Sequence, residues 1–183
     1  MENKEVSEEL WNERMSNLIN IWRKSDRPSR QGPAGDYASH LKKVHIGPVV
    51  IDLGCGNGHI ESLLPPGHSY FGVDPFPMKD TIIKCKAENL KIEADTILCF
   101  AMLDGCQNLS EVLEAVNRCA KANIAILTGI GIQPDQFHTH FIDRATIVDG
   151  LPDFRIHLAE EVSPKVWLFD FWRNGEWKKR GSL

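Results

Sequence analysis

Three glycines at alternate positions, Gly54, Gly56 and Gly58, stand directly behind the apolar run 48–53, with small Cys55 and polar Asn57 between them. Glycine leaves backbone N–H groups open to direct contact and permits a positive φ in a tight turn. A helix expected from about His59 adds the partial positive charge of its N-terminus, which favours a carboxylate or phosphate. Asp52, inside the strand itself, repels a pyrophosphate and suits a ligand that carries an ammonium group. Asp74 closes the next apolar run, 20 residues after Gly54. A carboxylate there accepts hydrogen bonds from both hydroxyls of a ribose.

Proton-handling candidates follow later strands. Asp104 lies behind the fourth, and His138 and His140 behind the fifth. A carboxylate or an imidazole can take a proton at neutral pH, and Asp104 and His140 are the preferred pair. His138, His140 and Asp143 also have the chemistry of metal ligands, but two histidines at i, i+2 carry little weight, and no metal is expected. The cysteines are Cys55, Cys85, Cys99, Cys106 and Cys119, an odd count without a CxxC pair. That spacing does not suggest a zinc site or a disulfide framework and fits a reducing, cytoplasmic setting.

Positioning these groups requires an alternating chain. Apolar residues at helical spacing, among them Leu10, Trp11, Leu18 and Trp22, predict an amphipathic helix over 5–24. A Pro/Gly/Ser/Arg-rich loop follows, readable as a lid, and then a short helix over 37–44. Strands are expected at 48–54, 69–75, 81–86, 94–102 and 123–129, several as continuous apolar runs of the buried parallel kind. A helix over 109–121, with Ser110 as N-cap, separates the last two. Two further runs around Ser163-Pro164 predict a closing antiparallel hairpin. The fold class is therefore α/β: a Rossmann-like three-layer sandwich with a mostly parallel seven-stranded sheet, order 3-2-1-4-5-7-6, the last strand antiparallel, and helices on both faces. All 183 residues read as one domain, with 1–47 as N-terminal helix and lid-like loop and 48–175 as core.

The stretch VVIDLGCGNG resembles the first motif of class I S-adenosylmethionine-dependent methyltransferases. The resemblance implies S-adenosylmethionine as cofactor, S-adenosylhomocysteine as product, and methyl transfer to a small-molecule acceptor. It implies that Asp52, Gly54, Cys55, Gly56, Asn57 and Gly58 wrap the methionine half, and that Asp74 and Pro75 hold the ribose. CKAENL is similar to the segment beside the adenine, which implies roles for Ala87 and Glu88; ADTILCFAMLD resembles the fourth strand and its run-out, placing Phe100 and Ala101 at the cofactor. Lys86 stands where the family often has an acid, and the usual helix before the third strand shrinks to the turn PFPMKD. No (Asp/Asn)-Pro-Pro-aromatic tetrapeptide follows the fourth strand, so the resemblance does not extend to enzymes that methylate adenine bases.

Bulk properties narrow the partners. A net charge of −4 and a pI of about 6.0 supply no global field for nucleic acid or acidic lipid. Arg23, Lys24, Arg27 and Arg30, and the terminal Lys178-Lys179-Arg180, are local basic clusters that read as solvated charge. No run approaches membrane-spanning length, so a monomer or homodimer without a membrane partner is expected. Against the enzyme stand three other readings. The glycines serve a tight turn alone; a nicotinamide enzyme uses the loop, although GxGxG is not GxGxxG and no Tyr-x-x-x-Lys appears; or the fold is a non-catalytic cofactor-binding or protein-interaction module.

Overall fold

Runs that are apolar on both faces become the interior strands of a covered sheet. β4 (Ala94–Phe100) and β5 (Ala120–Gly129) lie at its middle, and every residue of β4 except Asp95 is buried. The other strands are β1 (Val49–Leu53), β2 (Ser69–Asp74), β3 (Ile83–Lys84), β6 (Phe154–Ser163) and β7 (Val166–Arg173); the helices are α1 (Glu8–Lys24), α2 (Tyr37–Leu41), α3 (Leu109–Cys119) and α4 (Arg144–Asp149). The computed structural model describes residues 6–24, 36–135 and 138–175. The side chains of Trp22, Arg23 and Lys24, the loop with Arg27 and Arg30, and the Lys178–Arg180 cluster lie outside the described residues.

The strand order is β3-β2-β1-β4-β5-β7-β6, as the sequence predicts. Neighbours from β3 to β5 pair in parallel, and β7 pairs antiparallel with both β5 and β6. The glycine loop therefore emerges at the carboxyl ends of the parallel strands, beside the point where the chain crosses from β3 to β4. Open α/β sheets bind ligands at that place.

The two faces are covered unequally. On one, α3 and the Ala87–Asn89 turn seal a large cluster with Ile51, Leu53, Ile97, Ile124, Phe169 and Phe171. The second face carries a smaller cluster of Val50, Leu98, Phe100, Ala125, Leu127 and Leu168 under Tyr37 and Leu41 of α2. Instead of the helix expected after the glycine loop, that face has a five-residue 3₁₀ turn, His59–Leu63. Pro65-Pro66 is the reason: six residues separate Gly58 from the first proline, too few for a helix that a proline must then end. Helix α3 is capped by Asn108 rather than Ser110; its Oδ1 accepts from the Glu111 N–H at 3.3 Å and from the Ser110 hydroxyl at 2.8 Å.

Candidate active site

All three loop glycines are left-handed, with φ of +67° at Gly54, +59° at Gly56 and +70° at Gly58. Their side-chain directions differ. A Cβ on Gly54 would lie 2.5 Å from Met102 Cβ, so there glycine lets β1 and the run-out of β4 meet. A Cβ on Gly56 would meet nothing within 4 Å, so its backbone faces open space. The loop is held from below: Gly54 and Cys55 N–H donate to the Val73 carbonyl at 2.8 and 3.3 Å, and Gly58 N–H donates to Cys55.

Asp74, at the end of β2, organises this rim. Its Oδ2 accepts from the Gly56 N–H at 2.9 Å and its Oδ1 from the Phe76 N–H at 2.8 Å. Pro75 lies between the two and begins the turn to β3. Asp52 is buried and accepts from the Tyr70 hydroxyl at 2.8 Å. Burial and the Asp52 charge push the Tyr70 phenol far above its ordinary value, so it stays a neutral donor. Burial, reinforced by Asp52 and Asp74, pushes the Cys55 thiol up to about 12, which keeps it from acting as a thiolate. Asn57 accepts from the His59 N–H at 3.2 Å and so opens the 3₁₀ turn.

Further along the rim, Ala101 has φ +54°, a left-handed conformation unusual outside glycine, and its N–H donates to Leu127 at 2.7 Å. Such strain costs roughly 1–3 kcal/mol and gathers at functional sites. Phe100 is buried edge-on against Tyr37, with ring centroids 5.6 Å apart. Ala87 is buried, while Glu88 accepts from the Gln107 and Asn108 N–H groups at 3.0 and 2.9 Å and so tethers the start of α3. Nothing in the sequence pattern signals that link.

Asp104, behind β4, is tied to the segment after β5. The Asp104 carbonyl accepts from the Thr139 N–H at 2.6 Å and the His140 N–H at 3.3 Å. Its carboxylate Oδ2 lies 3.6 Å from His138 Nε2, and His138 Nδ1 lies 2.9 Å from Asp135 Oδ1. A carboxylate only accepts, so each ring nitrogen of His138 lies against an acceptor, Nδ1 against Asp135 and Nε2 against Asp104. Asp135 is the partner that sequence reasoning missed; its spacing of three from His138 was the available signal. His140 differs. It is buried, and its Nε2–H donates to the Cys106 carbonyl at 2.9 Å. Burial lowers its pKa. Asp143 caps α4 through the Thr146 N–H at 2.8 Å, so His138, His140 and Asp143 hold three separate positions. Among the described residues no group of three or more His, Cys, Asp or Glu is placed to hold a metal, and no helix is long and apolar enough to cross a membrane.

A family model described as a methyltransferase domain matches residues 17–129. None of the curated proteins matches the sequence. Among solved structures, magnesium protoporphyrin IX methyltransferase from Synechocystis PCC 6803 superposes with a TM-score of 0.65 at 14% identity, over 93% of this chain and all of that one (100%). The 1,6-didemethyltoxoflavin-N1-methyltransferase of Burkholderia thailandensis gives a TM-score of 0.65 at 14% identity, over 94% and 93% of the two chains. A plantazolicin methyltransferase gives 0.66 at 15% identity, over 91% and 96%. At these identities the likeness is one of fold.

Proposed function

The chain belongs to the methyltransferase domain family, and on that premise we propose that it transfers a methyl group from S-adenosylmethionine to a small-molecule acceptor. The observation that carries the reading is the pairing of the Gly56 N–H with Asp74 beneath a loop whose Gly56 face is open. The residues fit the cofactor: a backbone cradle at 54–58, the ribose-accepting carboxylate of Asp74 beside it, and the buried carboxylate of Asp52 behind the loop, whose charge suits a ligand with an ammonium and a sulfonium centre. When bound, that ligand supplies a methyl group on positively charged sulfur.

The chain's own groups bind, orient and handle protons. Asp74 and Pro75 receive the ribose, with Cys55 and Asn57 shaping the loop around the methionine half. Ala87 and Glu88 border the base, and Phe100 and Ala101 back the reacting end. Asp104 and His138 face the acceptor: His138 Nε2 takes its proton, Asp135 holds the ring in the required tautomer, and Asp104 stabilises the imidazolium that forms. His140 acts by fixing the loop that carries His138. The similar solved enzymes are named for a porphyrin, a toxoflavin precursor and plantazolicin, which supports an organic small molecule or peptide as the acceptor class.

Calorimetry on the full chain with S-adenosylmethionine and S-adenosylhomocysteine tests the first half. Saturable binding that Asp74→Ala weakens supports it. Absence of heat and of thermal shift with both compounds refutes it and favours the non-catalytic module. Isotopic methyl transfer in an acceptor screen tests the second half.

A further inference from the structure

Trp11 is the largest buried side chain described in α1, at 3% exposure. Neither it nor the buried Leu18 and Ile19 belongs to either hydrophobic cluster. Instead the indole lies among three turns at the carboxyl ends of β2, β3 and β4. Its ring centroid is 5.7 Å from that of Phe76, and Lys86 Nζ sits 5.0 Å from the ring centre. Its Nε1–H donates to the Gly105 carbonyl at 2.9 Å. Phe76 follows Asp74 by two positions, and Lys86 immediately precedes Ala87.

A base joined to a ribose on Asp74 and bordered by Ala87 would lie beside the turns of Phe76 and Lys86, on which Trp11 packs. The indole is a flat aromatic bicycle with an N–H donor at its edge, the shape and bonding of a purine. We propose that Trp11 occupies the base's place as a built-in competitor, so that the first turns of α1 must leave before a cofactor's base can enter. This inference rests on the cofactor reading above.

The contacts that hold α1 down suit a latch. Glu8 pairs with Lys86 at 2.8 Å with its own side chain 68% exposed. Lys86 Nζ also donates to Gln107 Oε1 at 2.9 Å, and Gln107 Nε2 donates to the Val6 carbonyl at 3.3 Å. Exposed ion pairs of this kind exchange readily for water. Releasing them leaves both core clusters intact. A closed latch reduces apparent affinity by the fraction of molecules that are open.

The test compares S-adenosylhomocysteine binding by calorimetry in the full wild-type chain and Trp11→Ala, and follows amide hydrogen exchange of α1 in the wild type. A competitor predicts at least about threefold tighter binding in Trp11→Ala, and faster exchange across Glu8–Lys24 when S-adenosylhomocysteine saturates the wild type. Unchanged or weaker binding in the variant, or protection of α1 by the ligand, overturns the proposal and makes Trp11 a wall of the pocket, with the cofactor reading intact. No binding to either protein overturns both. The exchange measurement needs no substitution, so a poorly folded variant does not blunt the test.

Discussion

Gly54 and Gly56 lie two residues apart in one loop, both left-handed, yet alanine at each should fail in a different way. A left-handed alanine costs about 1–2 kcal/mol at either position. At Gly54 the new Cβ also meets Met102 Cβ at 2.5 Å. Relieving that overlap moves the run-out of β4, at a further cost of about 1–3 kcal/mol. Gly54→Ala should therefore lose about 2–5 kcal/mol, or roughly 4–20 °C in Tm for a domain of this size. At Gly56 no atom lies within 4 Å, so strain alone remains, roughly 2–8 °C. Binding reverses the ranking per unit of stability lost. A methyl on the open face of Gly56 projects where the ligand must contact the backbone, and S-adenosylhomocysteine affinity should fall at least about tenfold, or about 1.4 kcal/mol. The assay is thermal denaturation without ligand alongside calorimetry with S-adenosylhomocysteine. Wild-type affinity in Gly56→Ala would refute the cradle, and equal Tm losses in the two variants would refute the packing account of Gly54.

Asp74→Ala should weaken S-adenosylhomocysteine binding by about 1.5–3 kcal/mol, the value of hydrogen bonds to a charged group. It should also lower the ligand-free Tm, because the Gly56 and Phe76 N–H groups lose their acceptor; calorimetry and thermal melts check both. Once an acceptor is found, His138→Ala should reduce kcat by about 10²-fold or more, as loss of a positioned base does. If both His138→Ala and Asp104→Asn keep over about a tenth of wild-type kcat, positioning alone drives transfer. His40 and His140 both have pKa values lowered by burial from 6.5. The unfolded chain therefore binds protons that the folded chain refuses, and stability should fall as pH drops below about 6.5 and level off below the lowered folded values. His140→Gln keeps a side-chain N–H for Cys106 and should flatten part of that decline in a series of melts from pH 7.5 to 5.

The sequence by itself determined the sheet and where the glycine loop leaves it. Runs such as TILCF are apolar on both faces, and only a covered interior strand can bury them, so β4 and β5 and their neighbours follow from local pattern. Alternate glycines behind β1, with a carboxylate ending the next strand, mark the loop because few residues tolerate that backbone. Pro65-Pro66 already forbade the helix expected after that loop, a signal present in the sequence but outweighed by the regularity of the alternating pattern. Tertiary structure alone decided which partner each polar group took. Asp74 bears a backbone load, Glu88 tethers α3, and His140 turns to Cys106 while His138 meets Asp104 and Asp135. Trp11, one apolar residue in a helical stripe, reaches Gly105 across 94 positions of chain. Periodicity records which face of an element is apolar; it carries no information on which distant group will close against it, because packing of the whole fold selects that contact.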